Sequence, residues 1–238
     1  MAPVTDPNPD GPSRWLVTVM CLYGAGATGM IYLFSVYSGA LKQQFGFSQT
    51  QLEAINTSMF AAGTITVLPG MLVDRVGPGH SMRLGGSLMA SIFLLQFLVV
   101  HRRLGLSDGA VLPMMCFMCS VQFLCSSCIT ASVFSCLKTI YKPHESSGFV
   151  VGLGKGWVGL FGAIVTQLYK YTAGDVDNSP QTFMFLIFLA GAAAALTLVP
   201  SFIVTKAVST QVNGRPQPYM DRMRGMVGAA CFLCSAPC

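Results

Sequence analysis

Charge is what this chain has least of. Asp, Glu, Lys and Arg together make up 10% of its 238 residues, where a soluble domain carries about 25%. The few charges cluster between long apolar runs, and the mean hydropathy is +0.60. That pattern excludes a soluble domain with a large core and points to a polytopic membrane protein. Acids are nearly absent from the runs themselves: Glu53 sits at the end of one and Asp74 in a loop. A proton-coupled carrier often uses an embedded carboxylate. Here the polar groups within the runs are instead Lys155, Gln96, Gln122, Asn56 and the hydroxyls of the first run.

Enzyme signatures are missing as well. Neither HExxH nor GxSxG occurs, and GLGKG (Gly152–Gly156) lacks the spacing and the following Ser or Thr of a phosphate loop. His80, His101 and His144 all fall in loops, as solvated residues rather than a metal cluster. The formal net charge of +5 comes without a basic stripe interleaved with aromatics, so no nucleic-acid partner is expected. Nine cysteines do not form a scaffold. Cys116 and Cys119 point away from Cys125 and Cys128 on a helix, so the four cannot share one zinc ion and read as small packing residues. Cys231, Cys234 and Cys238 lie in the tail. No enzyme activity, cofactor or metal is expected.

What is there is apolar length. Six runs match a hydrocarbon core of roughly 30 Å at 1.5 Å per helical residue: about Trp15–Tyr37, Leu52–Val73, Leu84–Val100, Val111–Leu137, Gly148–Tyr169 and Thr182–Thr205. The expected fold is all-α, with six transmembrane helices at residues 15–205, a polar tail at 1–14 and a C-terminal tail at 206–238. The first run, about 23 residues long, is too long for a secretory signal and reads as a retained span. Asn56-Thr57-Ser58 matches a glycosylation site but lies in or beside the membrane, so it is expected to go unused. Thr50 and Glu53 have capping-box spacing, whereas Ser48 and Glu53 do not. The third run, at seventeen residues, is at the short end.

Six spans put both termini on one side. Nine basic residues fall there, against Lys42, Arg102, Arg103 and Lys170 on the other, which places the termini in the cytoplasm under the positive-inside tendency.

Two stretches concentrate the candidate functional residues. The stretch from Gly70 to Gly86 reads as a tight charged turn between helices, with Gly70, Asp74, Arg75, Gly77 and Arg83 as a gating loop. The fifth run, drawn as a helix, carries Gly148, Gly152, Gly159, Gly162 and Thr166 on one face and bulky residues on the other. Glycines allow a neighbouring helix close approach, so Gly148, Gly152, Gly159 and Gly162 are packing candidates. Lys155 shares that face about a third of the way across. A lysine there either snorkels to the interface or lines a polar route. With Tyr32, Ser35 and Ser38 of the first run, and Gln122 of the fourth, it makes the candidate substrate pathway.

Three stretches resemble the nodulin-like proteins of the major facilitator superfamily. They are GATGMIYLFSVYSGALKQQFGFSQTQL (Gly26–Leu52), GMLVDRVGPGHSMR (Gly70–Arg83) and GLGKGWVGLFGAIVTQLY (Gly152–Tyr169). The resemblance covers about residues 14–205 and implies the amino-terminal six-helix half of a facilitator, working by alternating access. It also implies a small solute, with Lys155 as counter-charge to an organic anion such as a monocarboxylate. A missing second half or a homodimer partner would complete the fold within the lipid bilayer. The alternative is a non-transporting scaffold or assembly partner.

Overall fold

The structure is a computed structural model that describes residues 13–101, 108–141, 147–173 and 179–213. The predicted loop features at Arg102, Arg103, His144, Asp175 and Asp177, and the tail cysteines, lie outside the described residues, as does most of the N-terminal tail. Eight α-helices and two short 3-10 turns make up the rest. They are α1 (Arg14–Thr28), α2 (Phe34–Phe45), α3 (Gln49–Ala61), α4 (Val67–Val76), α5 (Pro78–Val100), α6 (Asp108–Ile140), α7 (Ser147–Ala173) and α8 (Ser179–Asn213).

These helices group into spans. A 3-10 turn, Gly29–Leu33, joins α1 to α2, and the whole of Arg14–Phe45 is long and apolar enough to cross a membrane. Helices α5, α6, α7 and α8 each supply another such stretch. The pair α3–α4, bent by 51° around Ala62–Ile65, makes the sixth if it counts as one span. Contacts fix the antiparallel order. Thr18 and Tyr141 hydroxyls meet at 2.9 Å near one end of the bundle. Gln44 Nε2 donates to the Val100 carbonyl at 2.8 Å near the other. Thr18 already donates to the Arg14 carbonyl, so Tyr141 supplies the proton between the two hydroxyls.

The spans are longer than the apolar runs, and the largest revision concerns residues 70–86. The expected loop is two helices, with α4 running to Val76 and α5 starting at Pro78. The third span therefore has 23 residues rather than seventeen. Gly77 alone makes the break, at φ +89° and ψ 156°, a region open to glycine and closed to L side chains. Pro78 then occupies the first helical position, where its missing N–H is not needed. Gly77→Ala is expected to lower stability by about 1–3 kcal/mol. Thermal unfolding of the purified protein in detergent reads this, and an unchanged midpoint would show that the turn tolerates a side chain.

The capping box is also relocated. Gly46 ends α2 at φ +65°, so α3 starts at once, with Ser48 as its cap. Ser48 Oγ accepts from the Gln51 amide at 3.3 Å, and Gln51 Oε1 accepts from the Ser48 amide at 2.8 Å. The pair is Ser48–Gln51, not Thr50–Glu53.

The centre of the bundle is the first span together with α5, α6 and α8. In their most apolar stretches, 67% of residues are buried in the first span but only 22% in α7, so α7 is the most peripheral of the five long spans. Small residues set the closest packing. A Cβ on Gly79 or Gly86 of α5 would fall on Thr205 or Thr197 of α8, and one on Gly85 would come within 3.1 Å of Cys128 in α6. Arg83, between them, donates to Ser201 Oγ and Thr205 Oγ1, each at 3.0 Å, with its guanidinium 4.1 Å above the Phe202 ring. Both hydroxyls spend their protons on helix carbonyls, of Leu198 and Ser201, which turns their lone pairs to the arginine. Cys119, Cys125 and Cys128 are buried in this packing. The bulky side chains left outside, such as Leu88, Leu160, Ile164 and Phe202, suit a lipid surround.

Candidate functional site

The polar residues of the first span lie where its helix is interrupted. At the 3-10 turn the regular ladder is broken, and inside a membrane each freed backbone group needs another partner. Ser126 of α6 donates to the Thr28 carbonyl at 3.4 Å. Here too the first span meets α7 most closely. A Cβ on Gly29 would fall on the Val158 carbonyl, one on Gly162 would come 3.4 Å from the Gly29 carbonyl, and one on Gly26 2.8 Å from the Phe161 ring. Gly29 and Gly162 therefore bring two backbones together with no side chain between them.

Above this contact, towards the Phe45 end, two cavities flank α2 and share Ser35 and Gly39. The one between α2 and α3, of about 430 Å³, is lined among others by Tyr32, Ser35, Ser38, Lys42, Glu53 and Asn56. The one between α2 and α7, of about 320 Å³, is lined by Ser35, Val36, Gly39, Ala40, Gln43, Thr166 and Lys170. The sequence shows why each wall is polar. Ser35, Ser38 and Lys42 recur at helical spacing on α2, as do Gln49, Glu53 and Asn56 on α3.

Lys155 lies on the other side of the Gly29–Gly162 contact. At about 100° per residue, Lys155, Gly159, Gly162 and Thr166 fall within about 60° of one another on α7. Lys155 is about two turns before Gly162 and Thr166 about one turn after it. Its side chain is exposed, with Nζ 5.0 Å from the centroid of the Phe134 ring on α6. A cation over an aromatic face gains about 0.5–1 kcal/mol at such a site.

Of the residues expected in a pathway, Tyr32, Ser35 and Ser38 share one cavity. Lys155 is exposed about two turns beyond Gly162, in neither cavity. Gln122 is buried between α5 and α6, where its Oε1 accepts from Gln96 Nε2 at 3.2 Å. Of the glycines on α7, Gly162 meets the first span, while Gly148, Gly152 and Gly159 have no atom within 4 Å of an added Cβ. In the expected gating stretch, Gly70 has open space around it. Asp74 and Arg75 are exposed, Gly77 makes the turn, and Arg83 binds α8. Sequence reasoning missed Glu53 as a cavity residue, having placed it at a span's edge. It missed Gly29 as the partner of Gly162, and Ser201 with Thr205 as the partners of Arg83. The stripes on α2 and α3 were visible signals; which helices face each other was not.

An all-helical bundle with five membrane-length helices and a bent pair, split by polar clefts at a broken span, defines a multi-pass membrane protein. A family model described as Nodulin-like matches residues 14–233, and the chain belongs to that family. Comparison with curated proteins and with solved structures gave no match.

Proposed function

We propose that the chain is a transmembrane solute transporter, or the amino-terminal half of one with a major facilitator fold, moving a small organic anion by alternating access. One observation carries this. The two clefts lie on the Phe45 side of the backbone contact of Gly29 with Gly162, while Lys155 stands on the far side of that contact. A solute held in the clefts would reach Lys155 once α7 moved away from the first span. Broken spans at a midplane site recur in secondary transporters because unwound backbone can line a cavity. A cation on the route of an anion is favourable, whereas in lipid it is costly.

In this reading the Phe45 end faces away from the cytoplasm and both termini lie inside it, following the bias in basic residues. Asp74 and Arg75, exposed on the last turn of α4 just before the one-residue turn at Gly77, gate the cytoplasmic end. Gly148, Gly152 and Gly159 receive a helix from the second half or from a second copy. The same open glycine face suits the scaffold reading, and uptake separates the two.

The test is uptake of a panel of labelled monocarboxylates by the purified chain in proteoliposomes. Lys155→Ala is expected to reduce uptake by at least about tenfold, as for losing one contact to a charged group worth about 1.5–3 kcal/mol, with expression and folding intact. Equal uptake by wild type and variant removes Lys155 from the pathway. No uptake of any carboxylate by the wild type favours the scaffold.

A further inference from the structure

The cleft between α2 and α3 holds one charge of each sign. Lys42 comes from the last turn of α2 and Glu53 from the second turn of α3, and both are exposed to the same cavity of about 430 Å³. Among the described residues neither has an ion-pair partner; Glu53 Oε1 accepts from the neutral Gln49 Nε2 at 3.3 Å. Opposite charges lining one cavity without pairing leave both available to a ligand.

The lining changes along the two helices, away from the loop that joins them. The charges stand near the loop that joins the helices. Ser35 and Asn56 lie about one to two turns further in, and Met59 with Phe60 about two turns beyond Glu53. Anion-binding chemistry would need the lysine and the hydroxyls but would be opposed by a carboxylate at the same mouth, as a like charge there is repulsive. A cation would be opposed by the lysine in the same way. A ligand carrying both charges satisfies both.

The geometry points to a zwitterion as the occupant of this cleft, a small molecule with an ammonium for Glu53, a carboxylate or phosphate for Lys42, and an apolar end turned inward onto Met59 and Phe60. The inference rests on the cleft being part of the solute route proposed above, and it narrows that solute to a carboxylate or phosphate that also bears an ammonium. A free amino acid with an apolar side chain has this chemistry, and so does an aminophospholipid headgroup.

The experiment is binding to the purified full chain in phosphatidylglycerol nanodiscs, by calorimetry, using leucine and its two single-charge counterparts. These are 4-methylpentanoate, which lacks the ammonium, and 3-methylbutylamine, which lacks the carboxylate. The wild type is expected to hold leucine at least about tenfold more tightly than either, since each charged contact counts separately. Glu53→Gln is expected to bring leucine down to the level of 4-methylpentanoate, and Lys42→Gln to that of the amine. Lys138→Gln, exposed on the last turn of α6 and outside both clefts, leaves leucine unaffected. If phosphatidylethanolamine added to the discs weakens leucine binding, and Glu53→Gln abolishes the competition, the headgroup occupies the same site. Leucine binding no tighter than either counterpart, or unaltered by both cleft variants, overturns the inference. Lys155→Ala separates this result from the transport reading. Leucine binding retained without uptake counts against transport and not against the cleft, and carboxylate uptake without a preference for leucine does the reverse.

Discussion

Gly79→Leu is expected to destabilise the protein by about 3 kcal/mol or more, towards the upper end for overpacking a close contact. An added Cβ there meets not only the Thr205 hydroxyl but also the Thr205 Cα and N, each at 2.9 Å. Those are backbone atoms, and no rotamer change moves them aside. The α5–α8 seam must part, and the Arg83 bonds beside it part as well. Gly152→Leu on α7 is the matched control, because its Cβ would point into open space and a leucine has better helix propensity than a glycine. Unfolding midpoints in detergent should therefore fall for Gly79→Leu and hold or rise for Gly152→Leu. Equal loss in the two variants would mean that the closeness of α5 and α8 is not what limits stability. If Gly152→Leu keeps its stability yet loses uptake, the glycine face of α7 is meeting something outside the described chain.

Arg83→Ala is expected to cost about 2 kcal/mol, since it removes two hydrogen bonds from a charged donor, each typically worth about 1.5–3 kcal/mol, partly offset by ending the desolvation of the guanidinium. Lysine is a poor substitute, because a single ammonium cannot span Ser201 and Thr205 with the fork of a guanidinium while lying flat on Phe202. Arg83→Lys should thus recover less than half of the loss. A double-mutant cycle with Thr205→Val isolates the coupling. A coupling near zero would reduce the arginine to a solvated charge at the membrane edge.

The spans were legible because a bilayer sets a minimum length of apolar chain, and six runs met it. Their ends were not, since hydropathy marks where the hydrocarbon stops, and a helix runs on into the headgroups. Asp74 and Arg75 illustrate this. Charges read as a loop, yet they ride on the last turn of α4, and only Gly77 leaves the helix. At residues 48–53 the sequence holds both Ser-x-x-Gln and Thr-x-x-Glu. The choice fell to Ser48 because Gly46 stops the preceding helix two residues earlier.

The candidate site was half visible. Tyr32, Ser35 and Ser38 form a stripe in the sequence and line one cleft in the fold. Gln122 belongs to an equally polar pattern but turns inward to Gln96, as periodicity tells which residues share a face and not what that face meets. The glycines of α7 make the same point. Gly162 finds Gly29, while Gly148, Gly152 and Gly159 find nothing within reach.

The sparse cover of α7 also bears on how the protein is made. A helix with only 22% of its apolar stretch buried has few neighbours to lean on and must enter the bilayer largely on its own hydrophobicity. Lys155 opposes that step by about 2.5–3.5 kcal/mol at a central position. Ten Leu, Ile, Val and Phe residues lie between Gly148 and Tyr171, each contributing at most about 0.3–0.6 kcal/mol in favour. The balance is close, so a further charge near the middle of this helix would tip it out of the translocon's lateral exit, and synthesis rather than transport would fail first.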